Sequence, residues 1–108
     1  MRAGSRLPFA VAILCVVASA AEARPARCFT SDDGAYPCDF QATDRDGSFA
    51  IAAPGKPTYR LNMGEPGYAF GFVDLGGRNV ALPGRYRPLG GPRGCWANDD
   101  TGTKICAE

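Results

Sequence analysis

Histidine is absent from the 108 residues, and its absence removes the commonest routes to catalysis. Without an imidazole there is no Ser-His or Cys-His pair to activate a nucleophile. Charge of one sign is missing too. Lys+Arg number 12 and Asp+Glu 11, a formal net of +1, so neither nucleic acid nor an acidic surface is implied as a general partner. No window carries an amphipathic stripe of helical period, and no long apolar run follows residue 17. Cofactor motifs are lacking as well. The glycine pairs in Asp74-Leu75-Gly76-Gly77 and Pro88-Leu89-Gly90-Gly91 have no strand–loop–helix setting that would cradle a phosphate. No cofactor is expected.

What is present begins with an export signal. Arg2 and Arg6 precede the apolar run Leu7–Val17, and the small residues Ala18 to Ala23 follow, with sites of A-x-A form ending at Ala20 or Ala23. That layout predicts a signal peptide over 1–23, cleaved after Ala23 or after Ala20. An uncleaved anchor is the alternative, but the run is shorter than the roughly 20 residues of a spanning helix and contains Pro8. The expected product is a single small β domain, 24–108, periplasmic or secreted, with no stable membrane span. Its acidic and basic side chains balance.

A domain of this size buries only about 60–65% of its unfolded surface and needs covalent help. Cys15 leaves with the signal, and Cys28, Cys38, Cys95 and Cys106 remain. An even count in an exported chain predicts two disulfides. Zinc is the rival, but there is no His and no C-x-x-C spacing, so no metal is expected. Pairing Cys28–Cys38 with Cys95–Cys106 places a turn inside each bridge. The nested pairing, Cys28–Cys106 with Cys38–Cys95, closes longer loops.

Turn signals recur every eight to twelve residues: Ser31-Asp32-Asp33-Gly34, Asp44-Arg45-Asp46-Gly47, Ala53 to Pro57, Gly64-Glu65-Pro66-Gly67, Asp74 to Gly77 and Asp99 to Gly102. Between them apolar residues alternate, as in Tyr36, Cys38, Phe40, Ala42, then Phe49, Ile51, Ala53, then Tyr59, Leu61, Met63. The pattern predicts an all-β domain, a small antiparallel sandwich or barrel. Phe70 and Phe72 share one strand face and are expected in the core, although Tyr59, Tyr68, Phe70 and Phe72 together could line a groove. Trp96, beside Cys95, is expected to pack on a disulfide.

Asp44-Arg45-Asp46-Gly47 invites comparison with a calcium loop. Aligning Asp44 and Asp46 to its third and fifth positions leaves Ala42 first and Ala53 twelfth, too few oxygens to replace a hydration shell. A hairpin turn is the expectation. The acid pairs Asp32-Asp33 and Asp99-Asp100 lie at turns and read as solvated side chains rather than as general acid and base.

One segment departs from the rhythm. Pro83 to Gly94 is rich in Gly and Pro, holds no acid, and is expected to be the longest loop. Arg78, Arg85, Arg87 and Arg93 lie in or near it. Arginine forks suit phosphate, sulfate or carboxylate, so these four are the candidate anion- or partner-binding residues. Their alternative role is a solvated set partly paired with Asp74, Asp99 and Asp100. In an extended segment Arg85 and Arg87 share one face and Tyr86 takes the other.

The strings GKPTYRLN, PGYAFGF, GGRNVALPGRY and CWANDDTGTKICA resemble small exported proteins of unassigned function from Gram-negative bacteria, which implies an envelope location. Pro83-Gly84-Arg85-Tyr86 is also similar to the inhibitory loop of periplasmic inhibitors of c-type lysozyme. That resemblance implies a compact disulfide-linked β-barrel, with Arg85 and Tyr86 at the match. The expected function is therefore a non-enzymatic envelope protein, a structural or binding module that meets an anionic partner through its arginine-rich loop. The alternative is a lysozyme inhibitor.

Overall fold

A computed structural model describes residues 22–108. The expected signal segment lies outside them, apart from Glu22 and Ala23. Nine strands follow in order: β1 (Arg24–Thr30), β2 (Gly34–Ala42), β3 (Phe49–Ala53), β4 (Lys56–Met63), β5 (Ala69–Leu75), β6 (Arg78–Ala81), β7 (Tyr86–Pro88), β8 (Cys95–Asn98) and β9 (Lys104–Ala107). Every pairing is antiparallel. No helix of the described residues is long and apolar enough to cross a membrane.

Of the two expected architectures, the chain adopts the barrel. Hairpins link β1 to β5 in sequence, and β1 also pairs with β9, Phe29 lying opposite Cys106. β5 closes the ring. One of its edges carries β4, and the other carries β7 through Ala69 and Tyr86. β6 shares that second edge, with Phe72 to Leu75 facing Ala81 to Arg78. The result is an eight-stranded barrel with β6 as an added strand.

The interior is filled by alternate residues of each strand. Cys28, Tyr36, Cys38, Phe49, Ile51, Tyr59, Leu61, Val73, Tyr86 and Ile105 are buried in one cluster. Both disulfides have the short-range pairing. Cys28–Cys38 joins β1 to β2 diagonally within the core, and Cys95–Cys106 joins directly opposed residues of β8 and β9.

Two expectations are corrected. Phe70 and Phe72 do not enter the core; the inward residues of β5 are Ala69, Gly71 and Val73, and Phe70 remains 42% exposed. The reason is volume. A Cβ added to Gly71 would stand 2.5 Å from Tyr86 Cε1 and 3.2 Å from Leu82 Cδ1, so the interior already holds large side chains from the next strand. Small residues on β5 complement them, and its aromatics turn outward. Trp96 packs against the core cluster that contains the Cys28–Cys38 bridge rather than standing on the same side of its strand as Cys95. It lies opposite Ile105, while Cys95 alternates to the outer side. Finally, Pro83 to Gly94 is not one long loop. Tyr86–Pro88 forms β7 in its middle, paired with Trp96 to Asn98, because burying the Tyr86 ring fixes an extended phase there.

Candidate outer-face binding site

The arginine-rich segment is held firmly. Leu82 N–H donates to Gly71 O at 2.8 Å, and Asp99 N–H donates to Arg85 O at 2.8 Å. Asn98, buried at the end of β8, donates from Nδ2 to Pro83 O at 2.7 Å. Its Oδ1 accepts from the N–H groups of Asp100 and Thr101 at 2.8 and 3.0 Å. One side chain thus ties the β6–β7 connection to the β8–β9 turn.

Alternation then presents Arg85 and Arg87 to solvent on either side of Tyr86, which is only 3% exposed. Arg87 is neutralised in place. Its Nη2 lies 2.9 Å and its Nε 3.0 Å from Asp99 Oδ1. Arg85 takes a different partner, its guanidinium carbon standing 3.9 Å from the ring centre of Tyr68. A cation over an aromatic face keeps its charge and its hydrogen-bonding fork. Among the described residues neither Arg85 nor Arg60 makes an ion pair.

The register extends the site onto β5 and β4. Ala69 faces Tyr86; one residue further each way, Arg85 falls beside Phe70 and Arg87 beside Tyr68. Across the other edge of β5, Asn62 faces Phe70 and Arg60 faces Phe72. All of these lie on the outside of the barrel. The face therefore carries a central row, Tyr68, Phe70 and Phe72, with arginines on both flanks. Gly64 makes room for Phe70, since a Cβ there would run into its ring.

The other two candidate arginines lie elsewhere. Arg78 faces Leu75, at the opposite end of β5 from the Ala69–Tyr86 pair, a distance of about 20 Å at the usual strand rise. Arg93 lines a separate cavity of about 170 Å³ with Arg27 and Glu108. Arg85 and Arg87 are brought together, and Arg78 and Arg93 are not. Sequence reasoning overlooked Arg60. Its signal was the alternation Tyr59, Arg60, Leu61, which turns it outward, but its neighbour across β5 depends on register.

A second cavity, also about 170 Å³, opens at one barrel end among Thr30, Tyr59, Pro83, Tyr86, Asn98 and Lys104. Typical small-molecule sites measure roughly 300–1,000 Å³, so this one suits a side chain more than a free ligand. Behind it, Asp33 accepts from Thr30 Oγ1 at 3.1 Å and from Tyr59 Oη at 3.4 Å. Burial, then the charges of Asp33 and Asp32, push the Tyr59 phenol up to about 12. Burial and Asp33 raise Tyr36 as well. Its hydroxyl is buried and has no hydrogen-bond partner among the described residues. Neutral phenols of this kind cannot serve as bases near neutrality.

The Asp44 loop is a turn. Asp44 Oδ1 accepts from the N–H groups of Asp46 and Ser48 at 2.8 and 3.1 Å, and Gly47 takes a φ of 101°. The Ser48 side chain and the Asp46 N–H hold the Asp44 carboxyl below the usual carboxylate range. No group of three or more potential metal ligands occurs among the described residues.

No protein-family model, curated protein or solved structure matches the chain. The outer face must be interpreted from its own chemistry.

Proposed function

We propose that the protein is an exported, non-enzymatic binding module that meets an anionic partner through the outer face of β4, β5 and β7. The observation that carries this reading is Arg85: it is exposed, fixed over Tyr68 at 3.9 Å, and has no carboxylate partner among the described residues. A positioned fork loses less conformational freedom on binding than a free one. Arg60 adds a second cation across the aromatic row, without an ion pair among the described residues. The two disulfides are compatible with an oxidising compartment outside the cytoplasm. Export with cleavage after Ala23 is the corresponding proposal for 1–23. An intact mass for the secreted form that starts at Arg24 and contains no alkylatable thiol supports it.

The binding reading is tested with a soluble polyanion, poly-L-glutamate, titrated at two salt concentrations. Affinity should fall with salt, and the double variant Arg60→Ala/Arg85→Ala should bind at least about tenfold more weakly. Equal binding by the double variant would end this reading.

A second reading, inhibition of a c-type lysozyme, draws on the barrel architecture and on Arg85 at the surface. It has two difficulties. Tyr86, the other matched residue, is buried, and the cationic face would repel a basic enzyme. Lysozyme assayed with a modest molar excess of the protein decides; undiminished activity discards it.

A further inference from the structure

The partner's chemistry can be narrowed, on the condition that the outer face is the binding surface. We infer that it takes an acidic polysaccharide, a chain of sugar rings bearing uronate carboxylates. Three features of the face lead there. First, Phe70 and Phe72 alternate on the outer side of β5, which spaces them by about 6.6 Å, and Tyr68 immediately precedes the strand. Such a row suits a chain of repeating flat units, because each pyranose has a face of C–H groups that packs on an aromatic ring. Second, the charges stand beside the two Phe rings: Arg60 lies opposite Phe72, and Arg85, stacked on Tyr68, falls in register beside Phe70. Carboxylates along the edge of a sugar chain meet those guanidinium forks while the rings lie between them. Third, Asn62 is exposed opposite Phe70 and offers both a donor and an acceptor, the complement of neighbouring hydroxyls.

An acidic peptide is the nearest competitor. It would satisfy the arginines, but it has no repeating flat faces to occupy the neighbouring rings of Phe70 and Phe72. An anionic membrane would engage the charges, yet it favours long apolar side chains that enter the lipid, and Phe70 instead leans over the Gly64 turn. The row and its flanks together favour the sugar chain.

The test uses the secreted protein and four probes: polyguluronate, neutral dextran, poly-L-glutamate and vesicles containing phosphatidylglycerol. Polyguluronate should bind, dextran should not, and the other two should bind at least about tenfold more weakly than polyguluronate. Phe70→Leu keeps apolar cover over Gly64 but removes the ring, and should weaken polyguluronate binding about tenfold, with poly-L-glutamate unchanged. Phe70→Trp should retain binding. Should Phe70→Leu alter the melting temperature, Phe72→Leu, away from that turn, replaces it as the probe. Binding of poly-L-glutamate or vesicles as tight as that of polyguluronate overturns the sugar inference and leaves an anionic partner in place. Dextran binding as tightly as polyguluronate overturns it as well, and so does Phe70→Leu without effect in a protein of unchanged stability. If no anionic probe binds, both this inference and the reading beneath it fall.

Discussion

Gly71 lies against the ring of Tyr86 so closely that a Cβ on the glycine would stand 2.5 Å from Cε1. The pair joins β5 to the strand that closes the barrel, and it decides which way β5 faces. With the interior occupied by Tyr86, the aromatic side chains of β5 are left for the outside. The packing of one residue pair thereby exposes the row on which the proposed function rests.

Replacing Gly71 by Ala should therefore destabilise the fold by about 1–3 kcal/mol through overpacking. Tyr86→Ala should cost about 3–5 kcal/mol, as expected for a buried aromatic. In the double variant Gly71→Ala/Tyr86→Ala the penalties should not add, because the alanine then enters space the ring has left. Chemical denaturation of the three variants measures this coupling; strict additivity would mean the two residues act independently.

Asn98 provides a second check on how the segment is held. It is buried and bonded to Pro83, Asp100 and Thr101. Asn98→Ala should cost about 2–3 kcal/mol, since buried backbone partners are left unsatisfied. Amide exchange should quicken at Gly84 and Arg85 before it does in β3. Unchanged stability and exchange would contradict its anchoring role.

Much of this was legible in the sequence. Period-two alternation located β2 to β5, and the spacing of four cysteines allowed the bridges that the barrel contains. What was not legible is phase. In Tyr68 to Val73 both alternating sets are compatible with burial, one aromatic and one small, and only the volume of Tyr86 selects between them. The site followed the same limit. Alternation placed Arg85 and Arg87 on one side of their strand, but the nearness of Arg60 and Tyr68 arises from register across β4, β5 and β7. β7 itself was hidden within residues that signal turns.

Tyr59 gives a pH dependence with a definite sign. Its pKa is raised from the ordinary 10.0 to about 12, so the folded protein holds this proton more tightly than the unfolded chain. The associated stabilisation is complete below pH 10 and is lost as pH rises toward 12. Tyr59→Phe should flatten the decline in melting temperature over that interval, although Tyr36 retains part of it. An alkaline limb identical in both proteins would place the shift elsewhere.

The Arg87–Asp99 pair should matter little to stability. Arg87 is 61% exposed and Asp99 24%, and exposed pairs contribute about 0.2–1 kcal/mol. Arg85→Ala/Arg87→Ala should thus melt close to the parent protein while losing polyanion binding. A melting temperature several degrees lower would identify these arginines as structural.

The most direct measurement is of where a polyanion binds. Backbone amide shifts of the protein, followed during titration with poly-L-glutamate, should change around Arg60, around Tyr68 to Phe72 and around Arg85 to Arg87, and remain fixed elsewhere. Shifts confined to the barrel-end cavity around Thr30 and Lys104, or to the side carrying Arg27 and Arg93, would contradict the assignment of the outer face.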